Sequence, residues 1–250
     1  NAHAAHRDTG LRVLLTTVGP GAGADSGQKH PQTCVTMGGM RVDHVSYAAE
    51  HDGLHATAER LAKLIGVKPV DGGVHPRFGT RNVILPLANE RYVEVVEVLD
   101  HPASDKAPFG QAVRARSANG GGWLGWVVRV DGIEEIGSRL GREPADGYRH
   151  TPDGRELRWR QLGVSGLICD PQLPFYVEWA EGTRHPSTDG ATQVGLAGLT
   201  IAGDPQRVRA WLGLPEDYKP STLEFTFVAP HGNPGLLAVT FGTPDGPVTV

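Results

Sequence analysis

Trp123-Leu124-Gly125-Trp126-Val127-Val128-Arg129-Val130, running on into Asp131-Gly132-Ile133-Glu134-Glu135-Ile136-Gly137-Ser138-Arg139-Leu140-Gly141, is the stretch whose reading decides the fold. A strand-like run rich in valine and tryptophan gives way to a segment with helical character. The same order occurs earlier. Met40-Arg41-Val42-Asp43-His44-Val45-Ser46-Tyr47-Ala48-Ala49 reads as a strand, and Leu54, Ala58, Leu61 and Ile65 then recur at helical spacing. Asp131-Gly132-Ile133 echoes Asp52-Gly53-Leu54, where Asp52 is expected to cap the helix start and Gly66 its end.

Each of these pairs is followed by further strand candidates. In the first half they are a turn-rich segment over 72–82 feeding an apolar strand at 83–87, and then 91–98; in the second half they are 142–148, 156–162 and 174–180. The chain thus predicts a β-α-β-β-β module over 40–120 and its repeat over 121–188. Each half buries only part of its sheet, so one paired domain is favoured over two separate ones. Residues 189–250 predict an abbreviated third unit: a strand at 194–202, a short helix at 204–213 and strands at 223–228, 236–241 and 248–250. This tail is expected to extend or cover the sheet of the same domain.

Residues 1–39 differ in character, with Gly19-Pro20-Gly21 and Ser26-Gly27-Gln28-Lys29-His30-Pro31 and no sustained periodicity. They are expected to form a disordered leader. Its one apolar patch, 11–18, is short for a signal peptide and is interrupted by Arg12, and a native start at Met37 or Met40 would leave the leader outside the natural protein.

The net charge of -4 supplies no basic field for nucleic acid or anionic lipid. Two cysteines, Cys34 and Cys169, are too few for a disulfide scaffold or a thiolate zinc site, which points to a reducing, cytoplasmic setting. No apolar run approaches the roughly 20 residues of a membrane span. The expected partner is a small molecule, with the chain a monomer or homodimer.

Strand parity then selects candidate site residues. In the first strand His44 is expected to share a face with Val42 and Ser46, opposite Val45 and Tyr47. Glu94 falls mid-strand, where a carboxylate needs a cation or a hydrogen-bond donor, whereas Glu97 lies near the strand end and can reach water. Glu178 occupies the matching mid-strand position of the second module, so a shared site is expected. His55, His101, His150 and His185 read as surface residues, and Cys169 as packed rather than reactive.

Asp43-His44-Val45, Gly72-Gly73-Val74-His75 with Gly79-Thr80-Arg81-Asn82, Tyr92-Val93-Glu94 and Pro174-Phe175-Tyr176-Val177-Glu178-Trp179 resemble the vicinal oxygen chelate superfamily, and more narrowly its glyoxalase-like domains. The resemblance covers residues 40–188. It implies an α+β fold in which paired β-α-β-β-β modules curl into a cupped mixed sheet of the glyoxalase, bleomycin-resistance and dioxygenase type, here with the extra C-terminal β-α-β-β half-module.

By position it also implies a divalent metal (Fe, Mn, Co, Ni or Zn) held by His44, Glu94 and Glu178, with Glu94 and Glu178 available for catalysis and His75, Asn82, Tyr92, Trp126 and Tyr176 near substrate. The implied chemistry is Lewis-acid and Glu acid–base catalysis on a small oxygen-chelating substrate, as in isomerases, lyases, hydrolases and dioxygenases. One departure stands out. No His, Glu, Gln or Asp lies between Trp123 and Trp126, where the counterpart of His44 would fall. The alternative is therefore a metal-free small-molecule-binding or resistance protein whose cup is walled by Trp123 or Trp126.

Overall fold

The computed structural model describes residues 40–190, 192–218, 223–229 and 232–250. The leader, with Cys34, Met37 and the 11–18 patch, lies outside the described residues.

The first module supplies β1 (Arg41–Ala48), α1 (Leu54–Ile65), β2 (Val70–His75), β3 (Thr80–Leu87) and β4 (Arg91–Val98). Two helices, α2 (Pro102–Lys106) and α3 (Pro108–Ala118), lead to the second module: β5 (Gly122–Arg129), α4 (Ile133–Leu140), β6 (Ala145–His150), β7 (Glu156–Leu162), a four-residue helix α5 (Gly166–Cys169) and β8 (Phe175–Trp179). A 3₁₀ turn at Pro186–Asp189 precedes β9 (Gly195–Ala202), α6 (Pro205–Leu212), β10 (Glu224–Val228), β11 (Gly235–Thr243) and β12 (Gly246–Thr249).

The first eight strands close into a mixed barrel in the order β1-β4-β3-β2-β6-β7-β8-β5. The repeat is visible in the pairing. Within each module the first strand runs parallel to the last, β1 with β4 and β5 with β8, and β1 meets β5 antiparallel across the module boundary. On the far side the barrel is closed by one residue pair only, Val74 with His150.

Helix boundaries follow local chemistry. Gly66 and Gly141 end α1 and α4 in the left-handed conformation that glycine adopts without steric cost. Asp52 does not cap α1, however. Its carboxylate instead accepts from Thr57 Oγ1 at 3.1 Å and pairs with Arg60, and Gly53 stands at the N-cap without a side-chain bond.

Both faces of β5 are covered by apolar side chains, which is why it reads as a near-continuous hydrophobic run rather than a clean alternation. The outer core joins Trp126, Val128 and Tyr176 to α1, α4 and the apolar face of the tail. The inner core brings Phe109, Ala112 and Val113 of α3 against Val127, Phe175 and Val177. Sequence reading gave α3 no role, yet it plugs the barrel interior.

The tail forms its own four-stranded sheet, ordered β10-β9-β11-β12, packed on the barrel through the outer core. Its topology departs from the modules: β9 pairs in parallel with β10, the next strand in sequence, rather than with the last. The tail covers the barrel; it does not extend it.

Closure at the single β2–β6 pair needs a glycine. Gly73 has φ 115°, and a β-carbon there would lie 1.8 Å from the His150 carbonyl oxygen. Gly73→Ala is expected to open this seam and cost about 2–4 kcal/mol, measured as a lower urea midpoint with near-native helix content by circular dichroism.

Candidate functional site

The site begins with an irregularity in β1. Pairing to β5 passes from Val42 opposite Val128 directly to His44 opposite Val127, leaving Asp43 as the extra residue of a bulge. Asp43 and His44 both turn into the barrel as a result. Val42 belongs to the outer core, so the expected grouping of Val42 with His44 and Ser46 fails at this bulge, whereas Val45 and Tyr47 do face outward.

Asp43 is wholly buried and fully engaged. Its Oδ1 accepts from His44 Nδ1 at 2.7 Å, while Oδ2 accepts from Trp179 Nε1 and pairs with His185 Nε2, each at 3.1 Å. Burial alone would raise its carboxyl, but the hydrogen bonds and charges of His185 and His44 outweigh that and hold it far below the usual carboxylate range. With Nδ1 committed to Asp43, Nε2 is the ring nitrogen left to face the cavity. That atom lies 4.0 Å from Glu94 Oε2, and the ring stacks on Tyr92 with centroids 4.4 Å apart.

Glu94 reaches the interior from β4, because Ser46 stands opposite it in the parallel pairing. Ser46 Oγ donates to Oε2 at 3.0 Å and Asn82 Nδ2 to Oε1 at 2.8 Å. Burial works to raise this carboxyl, and the facing imidazoles of His75 and His44 together with these two donors outweigh it, so Glu94 is held below its ordinary range. His75 Nε2 lies 3.8 Å from Oε1, and its Nδ1 is paired with Thr80 Oγ1 at 2.9 Å. Burial drives the His75 imidazole down to about 4, against the pull of Glu94, so it is neutral at pH 7. Arg149 of β6 is buried here as well and donates to Asn82 Oδ1 at 2.9 Å.

These groups surround a cavity of about 30 Å³, lined in addition by Phe78, Phe109, Trp159 and Phe175. A space of that size holds roughly one or two waters.

The structure thus gathers His44, His75, Asn82, Tyr92 and Glu94, and it separates three residues expected beside them. Glu178 points out of the barrel: its Oε1 accepts from the backbone N–H groups of Gly132 and Ile133 at 2.6 and 3.2 Å, capping α4. The parity assigned to β8 is right, but the inward set is Phe175, Val177 and Trp179, so Val177 stands where Glu94 stands in the first module. Trp126 also faces outward, its Nε1 bonded to the Gln172 carbonyl. So does Tyr176, which donates to the Trp211 carbonyl at 2.7 Å and whose hydroxyl burial pushes up to about 12.

His185, read as a surface residue, is buried against Asp43, and Cys169, read as packed, is exposed; His55, His101 and His150 are exposed as expected. Sequence reading missed the parts played by Asp43, Trp179, His185 and Arg149. The one available signal was the adjacency of Asp43 to His44, and strict alternation argued against using it.

Among the described residues, no group of three or more His, Cys, Asp or Glu side chains is spaced to hold a metal ion. The expected set of His44, Glu94 and Glu178 does not converge, since Glu178 lies on the other side of the β8 backbone.

Residues 42–214 match the Glyoxalase-like domain family. The chain belongs to that family. Its paired, curled modules have the architecture of the vicinal oxygen chelate superfamily. No curated protein matches it. Among solved structures, a hypothetical protein from Staphylococcus aureus shares 15% identity over 78% of this chain and 88% of its own, with a TM-score of 0.57, a likeness of fold alone. Methylmalonyl-CoA epimerase from Mycobacterium tuberculosis shares 15% identity over 55% of this glyoxalase-like chain and 85% of its own, at a TM-score of 0.37, too remote to bear on activity. No helix among the described residues is long and apolar enough to cross a membrane.

Two expectations follow from this geometry. Because the folded-state value of His75 lies below its unfolded value, the unfolded chain binds the extra proton between about pH 6.5 and 4, and stability falls as pH drops through that window. The loss approaches about 3 kcal/mol, and His75→Gln should flatten that part of a plot of urea midpoint against pH. Glu178→Ala should cost about 1 kcal/mol as a lost helix cap, while leaving the interior histidine NMR signals in place.

Proposed function

We propose that this glyoxalase-like chain is an acid–base enzyme that moves a proton to or from a small oxygen-bearing carbon acid inside the barrel, with His44 as the base. The observation that carries this reading is the position of the His44 imidazole between two buried carboxylates, Asp43 at 2.7 Å from Nδ1 and Glu94 at 4.0 Å from Nε2. Asp43 fixes the ring and its tautomer. When Nε2 takes a proton from substrate carbon, the resulting imidazolium is flanked by negative charge on both sides, which favours the transfer. The electron pair left on the substrate passes to its carbonyl oxygen. Arg149, which also donates to Asn82, supplies the positive charge lining the same cavity. If the planar enolate turns over before His44 returns the proton, its other face is protonated and the reaction is an epimerisation, a class narrower than the lyase, hydrolase and dioxygenase alternatives.

The cavity admits a substrate only if the barrel yields, and the one-pair β2–β6 seam beside Arg149 and His150 is its weakest closure. The aromatic lining then excludes water from the reacting atoms.

A second reading has its own observation: the Nε2 atoms of His44 and His75 confront the two oxygens of Glu94, a donor set suited to a divalent cation. Such a cation would supply Lewis acidity toward a substrate oxygen. Donors sharing one ion stand roughly 3 to 3.5 Å apart, so the present 4.0 and 3.8 Å are wide for it.

The readings separate in one set of measurements. Glycolaldehyde, dihydroxyacetone and acetoacetate are incubated with the protein in deuterium oxide, and loss of the carbon-bound proton signal is followed by NMR with and without added Mn(II) or Zn(II). Metal-independent exchange above the blank is expected, falling roughly 100-fold or more in His44→Gln and Glu94→Gln and persisting in Glu178→Gln. Exchange that requires metal favours the second reading. Ligand-induced shifts without exchange would make the chain a metal-free binder.

A further inference from the structure

A larger cavity lies outside the barrel, between the outer faces of β1 and β5 and the inner side of α6 and β10. Its volume is about 490 Å³, within the range of small-molecule sites. Val42, Trp126, Val128, Leu212, Phe225 and Phe227 form its apolar wall. Charge enters from one sign only. Arg41, Arg91 and Arg209 line the cavity and no Asp or Glu does, among the described residues.

Arg41 and Arg91 come from the starts of neighbouring parallel strands, and both line the cavity. Arg41 is held from outside by Glu90, which it shares with Arg129, and Arg91 Nε donates to the Val42 carbonyl at 3.2 Å. One carboxylate divided between Arg41 and Arg129 leaves that pair with a net positive charge. Two guanidiniums at the edge of an apolar chamber suit a ligand that is itself divided, with an apolar body and one anionic group.

We infer that this cavity is a binding site for an amphipathic carboxylate, its hydrocarbon body against Trp126, Leu212 and Phe225 and its carboxylate at Arg41 and Arg91. The site is separate from the barrel interior, since β1 stands between them with Val42 on one side and His44 on the other. It gives the tail a role the modules do not supply, because α6 and β10 provide the outer wall.

Isothermal titration calorimetry with dodecanoate, dodecan-1-ol and dodecyltrimethylammonium, each below its aggregation concentration, tests the inference on the full chain. Dodecanoate is expected to bind one to one, at least about tenfold tighter than the alcohol, with no binding of the cation. Arg41→Gln, at a partly exposed position, should weaken dodecanoate about tenfold, and Leu212→Trp should abolish binding by filling the chamber. His44→Gln should leave dodecanoate binding unchanged, so the result is independent of any activity in the barrel. Equal affinity for all three probes, no binding of dodecanoate, binding unaffected by Arg41→Gln, or binding lost in His44→Gln would each overturn the inference. If Leu212→Trp fails to fold, Arg41→Gln and the probe comparison still decide it.

Discussion

A carboxylate sealed from water must be met by donors, and Asp43 is met by three. His44, Trp179 and His185 come from the first strand, the eighth strand and the segment beyond it, so one buried charge ties the start of the first module to the end of the second. Removing any one donor leaves part of a buried anion unpaired, which costs far more than an exposed ion pair contributes. The arrangement also fixes the His44 ring, so the same constraint that joins the two halves orients that imidazole toward Glu94.

The repeat is structural rather than chemical. Both modules build the same parallel pair of first and last strands, yet polar groups enter the barrel mainly from the first, through His44, Ser46, His75, Asn82 and Glu94. The second contributes Val177, Phe175, Trp159 and Trp179 to the same space, with Arg149 as its charged member. One half carries most of the polar groups, and the other carries walls, an anchor for Asp43 and the cationic Arg149.

Much of this organisation was legible in the sequence because period and punctuation are local properties. The doubled strand–helix order, the terminal glycines Gly66 and Gly141 and the Asp204 cap can be read from neighbouring residues alone. Which face of a strand turns inward is not local. Glu94 and Glu178 have equivalent sequence contexts, but β8 offers Glu178 the free N–H groups of α4, and the carboxylate goes to them. Asp43 was hidden by the bulge, which breaks the two-residue period at the one place where it mattered. His185 sits in a connecting segment whose return to the barrel has no signature in spacing, and α3 carries too weak a periodicity to announce that it fills the interior.

The closed seam between β2 and β6 has a consequence for how the molecule meets others of its kind. A cup with two rims would present unpaired backbone groups along β2 and β6, ready templates for strand addition by another chain. Joining the rims, even through one pair, leaves the barrel without a free edge. Among the described residues the remaining edges belong to β10 and β12, and β12 is four residues long with Pro247 within it. Brevity and a missing N–H donor are what blunt such an edge, so the surface on which a foreign strand could align narrows to β10.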